Sequence, residues 1–451
     1  MIYRCGTMGK SLGRRVLKRT LSGVLSRMIA VGLWAAIFLT GCGGDNDTTP
    51  ALSVAGSSWT VMVYLDGDNN LEEWALADFN EMEAAATDEN LHLIVLFDRS
   101  PYHSEAQGDW EGTRLYKIRH DTDTSSMSSV RLTDSVGLGL AGDESDELNM
   151  GRSETLRQFV SFCKEAYPSD YTALILWDHG SGWAPSGADT AKVGTKFIAI
   201  DDASSGDALS MKEVADALSG QPVDLLGFDA CLMAEAEVAW ELRDSARYMV
   251  ASEMLEPSTG WNYTDFLNRF AGVSGVKKTP EVLGRIISET YLEGGGDMGL
   301  SLSVTDLKAL PSLGAAVDAL ALEMMALGPE AVTSARNEIP DYNDDTCVDL
   351  RRFAEALGVS SETRTVLGAA LSRAVIVNGA TNLDEICGLS IYFPLFGVSS
   401  GQYGDYTSLN LDFVDDTEWA GALRDYKNRA PYYTVDRRDE DGSLLATPGS
   451  E

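Results

Sequence analysis

Positive charge is scarce in this sequence. Its 451 residues include 35 Lys and Arg against 69 Asp and Glu, which gives a formal net charge of −34 at pH 7. A surface of this sign repels nucleic acid and favours basic partners or substrates. Alternatively, the negative charge only keeps the protein soluble and indicates no particular partner. Composition therefore argues against a nucleic-acid partner and leaves the choice among other partners open.

Cysteine and histidine are also rare, with six and four residues respectively. No two cysteines have the CxxC spacing, so we expect no structural zinc site and no metal held by cysteine. Two of the six, Cys5 and Cys42, lie in the N-terminal segment described next. Among the other four, Cys163 is expected to be a buried apolar residue of a helix. Cys347 and Cys387 form the one pair considered for a disulfide.

An apolar segment near the N-terminus is too short to be assigned as a membrane-spanning helix. It runs from Met28 to Thr40 after a basic stretch, which is typical of a signal-peptide core. It ends in Leu39-Thr40-Gly41-Cys42, which resembles the lipobox of bacterial lipoproteins, where the cysteine carries the lipid. We therefore predict a signal peptide over residues 1–41 and a lipid on Cys42, with Gly43 favouring an outer-membrane or surface location. An ordinary secretory signal is the alternative.

The rest of the chain predicts an α/β fold. A flexible polar linker is expected over residues 42–58, a core over 59–305, a mixed helical and strand region over 306–428, and a polar, loosely ordered tail over 429–451. Within the mixed region, residues 365–376 are expected to form a helix. Within the core, continuous apolar strands alternate with amphipathic helices. That alternation is typical of a mostly parallel sheet with helices on both faces.

Two of the predicted strands end in residues that can carry chemistry. The strand 171–177 leads into Asp178-His179-Gly180-Ser181-Gly182-Trp183, and the strand 223–228 leads into Asp229-Ala230-Cys231. Sites in an open α/β sheet form beyond the carboxyl ends of its strands. We therefore expect His179 and Cys231 to meet, although 52 positions separate them in the sequence.

The residue types suggest a nucleophile and a base. A helix is predicted to begin directly after Cys231, which would lower the pKa of its thiol. His179 would then exchange the proton, and the backbone amides of Gly180 and Cys231 would form an oxyanion hole. Taken singly, a cysteine or a histidine at such a place is usually structural, so the prediction rests on the pair.

Five segments in order resemble the clostripain family of cysteine peptidases. They are WTVMVYLDGDNNL (59–71), LILWDHGSGW (174–183), DLLGFDACLM (224–233), ASEMLEPSTGWNY (251–263) and GLSIYFP (388–394). The resemblance implies the caspase-like fold shared with gingipains and legumain, a Cys231–His179 dyad, and cleavage of protein or peptide substrates after basic residues. It also implies self-processing in the loop after the histidine, where Lys192 and Lys196 lie.

Specificity and cofactors stay open at this stage. Asp229 matches a family position associated with a basic P1 side chain, whereas a second acid of the family pattern is replaced by Thr259. A non-basic P1 preference, a purely structural Asp229 and a non-catalytic peptide-binding lipoprotein are the alternatives. The sequence requires no cofactor. Calcium is a candidate by resemblance only, because the segment 66–77 lacks the Gly and Glu that an EF-hand needs.

Overall fold

The computed structural model describes most of the chain beyond the predicted linker. The described residues are 57–85, 90–108, 110–133, 137–142, 146–183, 197–274, 277–296, 298–339, 346–383, 386–395, 397–408 and 410–430, with the backbone of strands 433–438 and 444–448. The predicted signal peptide and Cys42 lie outside these residues, as do Lys192 and Lys196.

The strands occur throughout the described chain. In order they are β1 (Trp59–Gly67), β2 (Leu91–Arg99), β3 (Gly112–Lys117), β4 (Val130–Arg131), β5 (Tyr171–Trp177), β6 (Ile198–Asp201), β7 (Asp207–Leu209), β8 (Val223–Asp229), β9 (Ala246–Ala251), β10 (Leu300–Asp306), β11 (Cys347–Asp349), β12 (Val375–Thr381), β13 (Ser390–Tyr392), β14 (Tyr433–Arg438) and β15 (Leu444–Pro448).

The helices lie between these strands. They are α1 (Glu72–Ala84), α2 (Ser153–Ala166), α3 (Met211–Leu218), α4 (Ala236–Glu241), α5 (Tyr263–Ala271), α6 (Pro280–Gly294), α7 (Leu310–Ala326), α8 (Pro329–Asn337), α9 (Leu350–Ala356), α10 (Ser361–Ala374), α11 (Ser400–Ser408), α12 (Asp412–Asp416) and α13 (Trp419–Arg429), with a 3-10 turn at Leu307–Ala309 before α7.

One large sheet organises the molecule. Nine strands are hydrogen-bonded in the order β12-β10-β9-β8-β5-β1-β2-β3-β4. The central five strands, from β9 to β2, are parallel to one another, and β12, β10, β3 and β4 at the two margins pair antiparallel. The predicted α/β class with a mostly parallel sheet is confirmed.

The sheet is covered on both faces because its strands are apolar on both sides. In β1, Met62 and Tyr64 belong to one core cluster, while Val61 and Val63 belong to the other. Successive side chains of a strand point to opposite faces, so a continuous apolar run supplies both clusters. Helices α1, α5 and α6 cover one face, and α2, α3, α4 and helices of the C-terminal part cover the other.

The C-terminal part is integrated with the core through β12 and α7. Strand β12 pairs with β10 at the margin of the large sheet. Among the described helices, the segment Leu307–Ala326 has the length and composition of a membrane span. Many of its apolar residues, such as Leu313, Val317 and Leu320, are buried in the protein core, where the helix packs next to α10 and α13.

Two sequence expectations for this part were wrong. The helix predicted over 365–376 ends at Ala374, because the β-branched run that starts at Val375 pairs with β10 instead. The tail 429–451 was expected to be loosely ordered, yet its strands β14 and β15 pair antiparallel.

The four cysteines in the described part of the chain are free thiols. Cys163 is fully buried in α2, as predicted. The disulfide considered between Cys347 and Cys387 is not formed. Instead, Cys347 Sγ lies 3.2 Å from Glu235 Oε1, and Cys387 Sγ lies 3.2 Å from the carbonyl oxygen of Leu389.

Candidate active site

The neighbouring strands β5 and β8 bring the two candidate residues to one edge of the sheet. Trp177, the last residue of β5, is in register with Asp229, the last residue of β8. The backbone N–H of Asp178 donates to the carbonyl oxygen of Asp229 at 3.4 Å. His179 and Cys231 each lie two residues beyond this register pair. Both residues therefore follow the carboxyl ends of two neighbouring parallel strands.

Gly180 packs directly against the loop that carries Cys231. A methyl group on Gly180 would lie 2.5 Å from the carbonyl oxygen of Cys231 and 2.9 Å from Ala230 Cβ. Real side chains do not tolerate such distances, so only glycine fits at this place. Gly180 therefore allows close approach of the loop that carries Cys231.

The environment of Cys231 differs from the predicted one. Helix α4 begins at Ala236, and Cys231 lies in a turn in which Leu232 has a φ of 64°. A helix dipole acts only over the first turn, so it does not reach the thiol. The expected lowering of the pKa is wrong: burial raises the pKa of Cys231 to about 12. The N–H of Glu256 donates to Sγ at 3.1 Å and partly offsets this effect.

His179 is held by an amide side chain. Its Nε2 lies 2.9 Å from Asn70 Oδ1. Because an amide oxygen only accepts, Nε2 carries the hydrogen and Nδ1 of a neutral ring can accept a proton. Burial lowers the pKa of His179, which favours this neutral form. The preceding Asp178 is buried and accepts from Asn69 Nδ2 at 2.8 Å.

A buried acidic pocket lies next to Cys231. Asp229 accepts from the N–H of Trp261 at 3.2 Å and from the hydroxyl of Tyr263 at 3.0 Å. Burial raises the pKa of Asp229 to about 7. Both carboxylate oxygens of Glu256 are buried, and its carboxyl group interacts with that of Asp229. Burial and then the charge of Asp229 raise the pKa of Glu256 well above its usual value. Thr259 is exposed.

Comparison with known proteins decides the family. The model of the clostripain family matches residues 63–426. The chain belongs to the clostripain family. This confirms the resemblance seen in the five sequence segments, and it places the described sheet and the Cys231 edge within the matched region.

Individual clostripain-family relatives agree with this assignment. Clostripain from Hathewaya histolytica is 33% identical over 304 residues, which cover 59% of this chain and 56% of that protein. The match therefore spans little more than half of the relative's length.

Solved structures share the fold of this clostripain-family chain. An inactive zymogen C11 protease from Parabacteroides distasonis superposes with a TM-score of 0.61 at 20% identity, covering 80% of this chain and 98% of that chain. A secreted C11 cysteine protease from Bacteroides thetaiotaomicron, in complex with an irreversible peptide inhibitor, gives a TM-score of 0.60 at 21% identity, covering 81% and 99%.

The structure adds residues to this clostripain-family site that sequence reasoning missed. Asn70 contacts His179, and Glu256 contacts Cys231 through its backbone. Glu235 accepts from the N–H of Trp183 at 2.7 Å and so fixes the loop after the histidine. Asn70 and Glu256 lay within quoted family segments, but neither stands directly at a strand end. Only the fold shows what they touch.

Proposed function

We propose that this clostripain-family chain is a cysteine endopeptidase in which Cys231 is the nucleophile and His179 the general base and acid. The observation that carries the proposal is the register of β5 with β8, which places both residues just beyond Trp177 and Asp229. A thiol and a neutral imidazole at one sheet edge are the groups that acyl transfer needs. The family membership supplies the expected reaction class.

The shifts of the two pKa values favour a neutral Cys231 thiol and a neutral His179 imidazole before substrate binds. With the thiol pKa near 12 and the imidazole pKa lowered, both groups are uncharged at neutral pH. Proton transfer from Sγ to Nδ1 then accompanies attack on the peptide carbonyl. The imidazolium formed gives this proton to the leaving amine as the C–N bond breaks and a thioester remains. Water, deprotonated by His179, hydrolyses the thioester and restores the thiol.

Two further groups complete the proposed chemistry. The amides of Gly180 and Cys231 are proposed to bind the oxyanion, where a single donor contributes about 3 kcal/mol to the transition state. The N–H of Glu256 donates to Sγ at 3.1 Å, and this bond favours the thiolate as the proton leaves. The irreversible peptide inhibitor bound by the structural relative is consistent with a site open to peptides.

We further propose that the P1 residue is Lys or Arg. The carboxyl groups of Asp229 and Glu256 are buried next to each other. Within the described residues, no Lys or Arg forms an ion pair with either of them. A cationic P1 side chain would supply the missing counter-charge. In this view Glu256 provides the second acid that Thr259 does not. The bonds from Asp229 to Trp261 and Tyr263 also support a structural role for Asp229, which keeps a non-basic P1 preference as the second candidate.

Export and maturation remain sequence-based proposals. Cys42 is proposed to carry a lipid that anchors the protein to a bacterial membrane, and the chain is proposed to cut itself after Lys192 or Lys196. All three residues lie outside the described part of the structure. Globomycin sensitivity of the precursor, absent in a Cys42→Ser variant, would test the anchor.

Peptide hydrolysis tests the proposed activity. The wild type should release fluorophore from peptides with P1 Lys or Arg, and both Cys231→Ala and His179→Ala should lose activity by at least about a thousandfold. Cys163→Ala, which removes a thiol buried elsewhere, is the matched control and should stay active. If the wild type binds such peptides as tightly as Cys231→Ala and hydrolyses none, the protein is the peptide-binding lipoprotein instead.

A further inference from the structure

The side chain of Glu235 connects the two loops that carry the candidate catalytic residues. Glu235 lies in the loop that follows Cys231, and only 1% of its surface is exposed. Its Oε2 accepts from the backbone N–H of Trp183 at 2.7 Å. Trp183 belongs to the loop that follows His179. One carboxylate from the cysteine loop therefore reaches across to the backbone of the histidine loop.

The histidine loop depends on such contacts because its own sequence restrains it little. Residues 180–183 read Gly-Ser-Gly-Trp, and Gly182 has a φ of 61° in the left-handed region. Glycine has more conformational freedom than any other residue, so a loop with two glycines is not rigid by itself. Gly180 forms an isolated antiparallel bridge with Ile198 at one end of the loop. The bond from Trp183 to Glu235 holds the other end.

The Glu235 carboxylate also fills the space next to Gly182. A methyl group on Gly182 would lie 2.8 Å from Glu235 Oε2 and closer still to Oε1. Real side chains do not approach a neighbour this closely, so position 182 accepts only glycine while Glu235 is in place. The loop and the carboxylate therefore fit each other.

The C-terminal part of the chain holds Glu235 from the other side. Cys347 Sγ, in β11, donates to Glu235 Oε1 at 3.2 Å. The backbone of Glu235 forms an isolated parallel bridge with Ser390, the first residue of β13. The N–H of Ser390 also donates to the carbonyl oxygen of Ala234 at 2.9 Å. Glu235 is therefore a fixed support for the histidine loop.

The ring of Trp183 is held by the same part of the chain. Its centroid lies 4.2 Å from that of Tyr392 and 4.4 Å from that of Tyr406, and both pairs meet edge to face. Such aromatic pairs are favourable beyond the area that they bury. The ring of Trp183 and its backbone N–H are thus both held, which fixes the end of the loop that contains Gly180.

We propose that Glu235 is a positioning residue that holds the Gly180 amide where the oxyanion forms. This inference rests on the proposed peptidase function. The oxyanion exists only during the reaction, so a displaced donor lowers kcat and leaves KM nearly unchanged. The role requires a hydrogen-bond acceptor at this place and does not require a negative charge.

Two substitutions separate the hydrogen bond from the charge. Glu235→Gln keeps the length of the side chain and an oxygen acceptor, whereas Glu235→Asp keeps the carboxylate but draws it away from the Trp183 N–H. With a P1 Lys peptide, Glu235→Gln should keep kcat within about threefold of wild type. Glu235→Asp should lower kcat by about 10-fold to 100-fold and change KM by less than about threefold, because the Gly180 amide is displaced but not removed.

Hydrogen exchange tests the contact without any activity. In full-chain Cys231→Ala protein, Glu235→Asp should speed amide exchange in residues 180–183 by at least about tenfold and leave β5 as in the parent. Unchanged exchange would overturn the proposal, whatever the peptidase assay shows. Faster exchange with unchanged kcat would overturn the positioning role. A wild type that hydrolyses no peptide would overturn the proposed function, and exchange would still decide whether Glu235 holds the loop.

Glu241→Asp is the matched control. Glu241 is a buried acid of α4 whose Oε2 accepts from the N–H of Asp412 at 2.9 Å, away from the histidine loop. Shortening it should lower Tm but leave kcat and the exchange of residues 180–183 unchanged. An equal loss of kcat in Glu241→Asp and Glu235→Asp would indicate a general loss of packing. Equal losses in Glu235→Gln and Glu235→Asp would indicate that the charge matters. Either result overturns the proposal.

Discussion

The carboxyl group of Asp229 changes its charge near neutral pH. Burial raises its pKa to about 7, so it loses its charge as the pH falls below neutrality. The proposed cationic P1 side chain needs that charge. The value of kcat/KM for a Lys substrate should therefore fall about tenfold between pH 8 and pH 6, in proportion to the ionised fraction.

An initial-rate series across this pH range checks the expectation. Burial lowers the pKa of His179, which reduces its share of the fall, and two controls separate the two groups. A substrate with an uncharged P1 residue and the variant Asp229→Asn should each show a flatter profile over the same range. Identical profiles for all three would contradict a role for the Asp229 charge.

Glu256 is the residue whose change best separates a basic from a non-basic P1 preference. Its carboxyl group is buried beside Asp229, so Glu256→Gln removes a carboxylate that a bound cation could pair with and keeps the size of the side chain. We expect kcat/KM for P1 Lys and Arg to drop by about 10-fold to 100-fold, which is the usual cost of removing one partner of a buried charge pair. A peptide library with all P1 residues measures the change.

The matched control is Thr259→Ala, which alters an exposed side chain of the same loop and should leave the P1 profile as it is. If Glu256→Gln keeps the Lys and Arg preference while Thr259→Ala changes it, the pocket has been assigned to the wrong residues.

Sequence reasoning reached His179 and Cys231 because each follows an apolar strand within two residues. The raised pKa of Cys231 was not predicted, because the burial of a thiol depends on packing against residues that are distant in the sequence. Asn70, Glu235 and Glu256 were missed for the same reason. Their partners lie 109, 52 and 25 positions away, and no local pattern encodes such contacts.

At the scale of secondary-structure elements, the loops after β5 and β8 pack so closely that an added methyl group does not fit between them. Gly180→Ala would place a methyl group 2.5 Å from the Cys231 carbonyl oxygen, so one of the loops must shift. We expect a loss of stability of about 1–3 kcal/mol, the usual cost of overpacking. We also expect a larger loss in kcat, since the shift moves the catalytic pair apart. Chemical denaturation and steady-state kinetics measure the two effects.

Gly368→Ala is the control for this glycine change. Gly368 lies within α10 with open space around it. Alanine there should stabilise the protein by about 0.5–1 kcal/mol and leave activity unchanged. Equal effects of the two substitutions would show that the loop contact is not a constraint.

The element that sequence analysis placed least well was the helix after Cys231. The pattern predicted a helix over 232–242, but residues 232–235 are hydrogen-bonded to distant backbone. The N–H of Leu232 donates to Met254, the N–H of Ala234 to Ser252, and the N–H of Ser390 to the carbonyl of Ala234. These long-range bonds replace the first helical turn. By contrast, β1, β5 and β8 were predictable because their apolar runs are long enough to specify a buried parallel strand.

For the whole molecule, the proposed self-processing links the active site to the loop after the histidine. Purified wild type should show two fragments by intact mass, with the cut after Lys192 or Lys196. Cys231→Ala should remain one chain. A Lys192→Gln, Lys196→Gln double variant should also remain uncut, whereas Lys212→Gln, which changes an exposed lysine of α3, should still be cut. Cleavage in Cys231→Ala without added wild type would rule out self-processing.

The pairing of Cys231 with His179 is tested most directly by covalent labelling. The protein is treated with an irreversible peptide inhibitor that carries a P1 lysine, digested, and sequenced by mass spectrometry. The modification should lie on Cys231 alone among the described thiols, with Cys163, Cys347 and Cys387 unmodified, and His179→Ala should slow it strongly. Labelling of another residue, or labelling of Cys231 at the same rate without His179, would contradict the assignment.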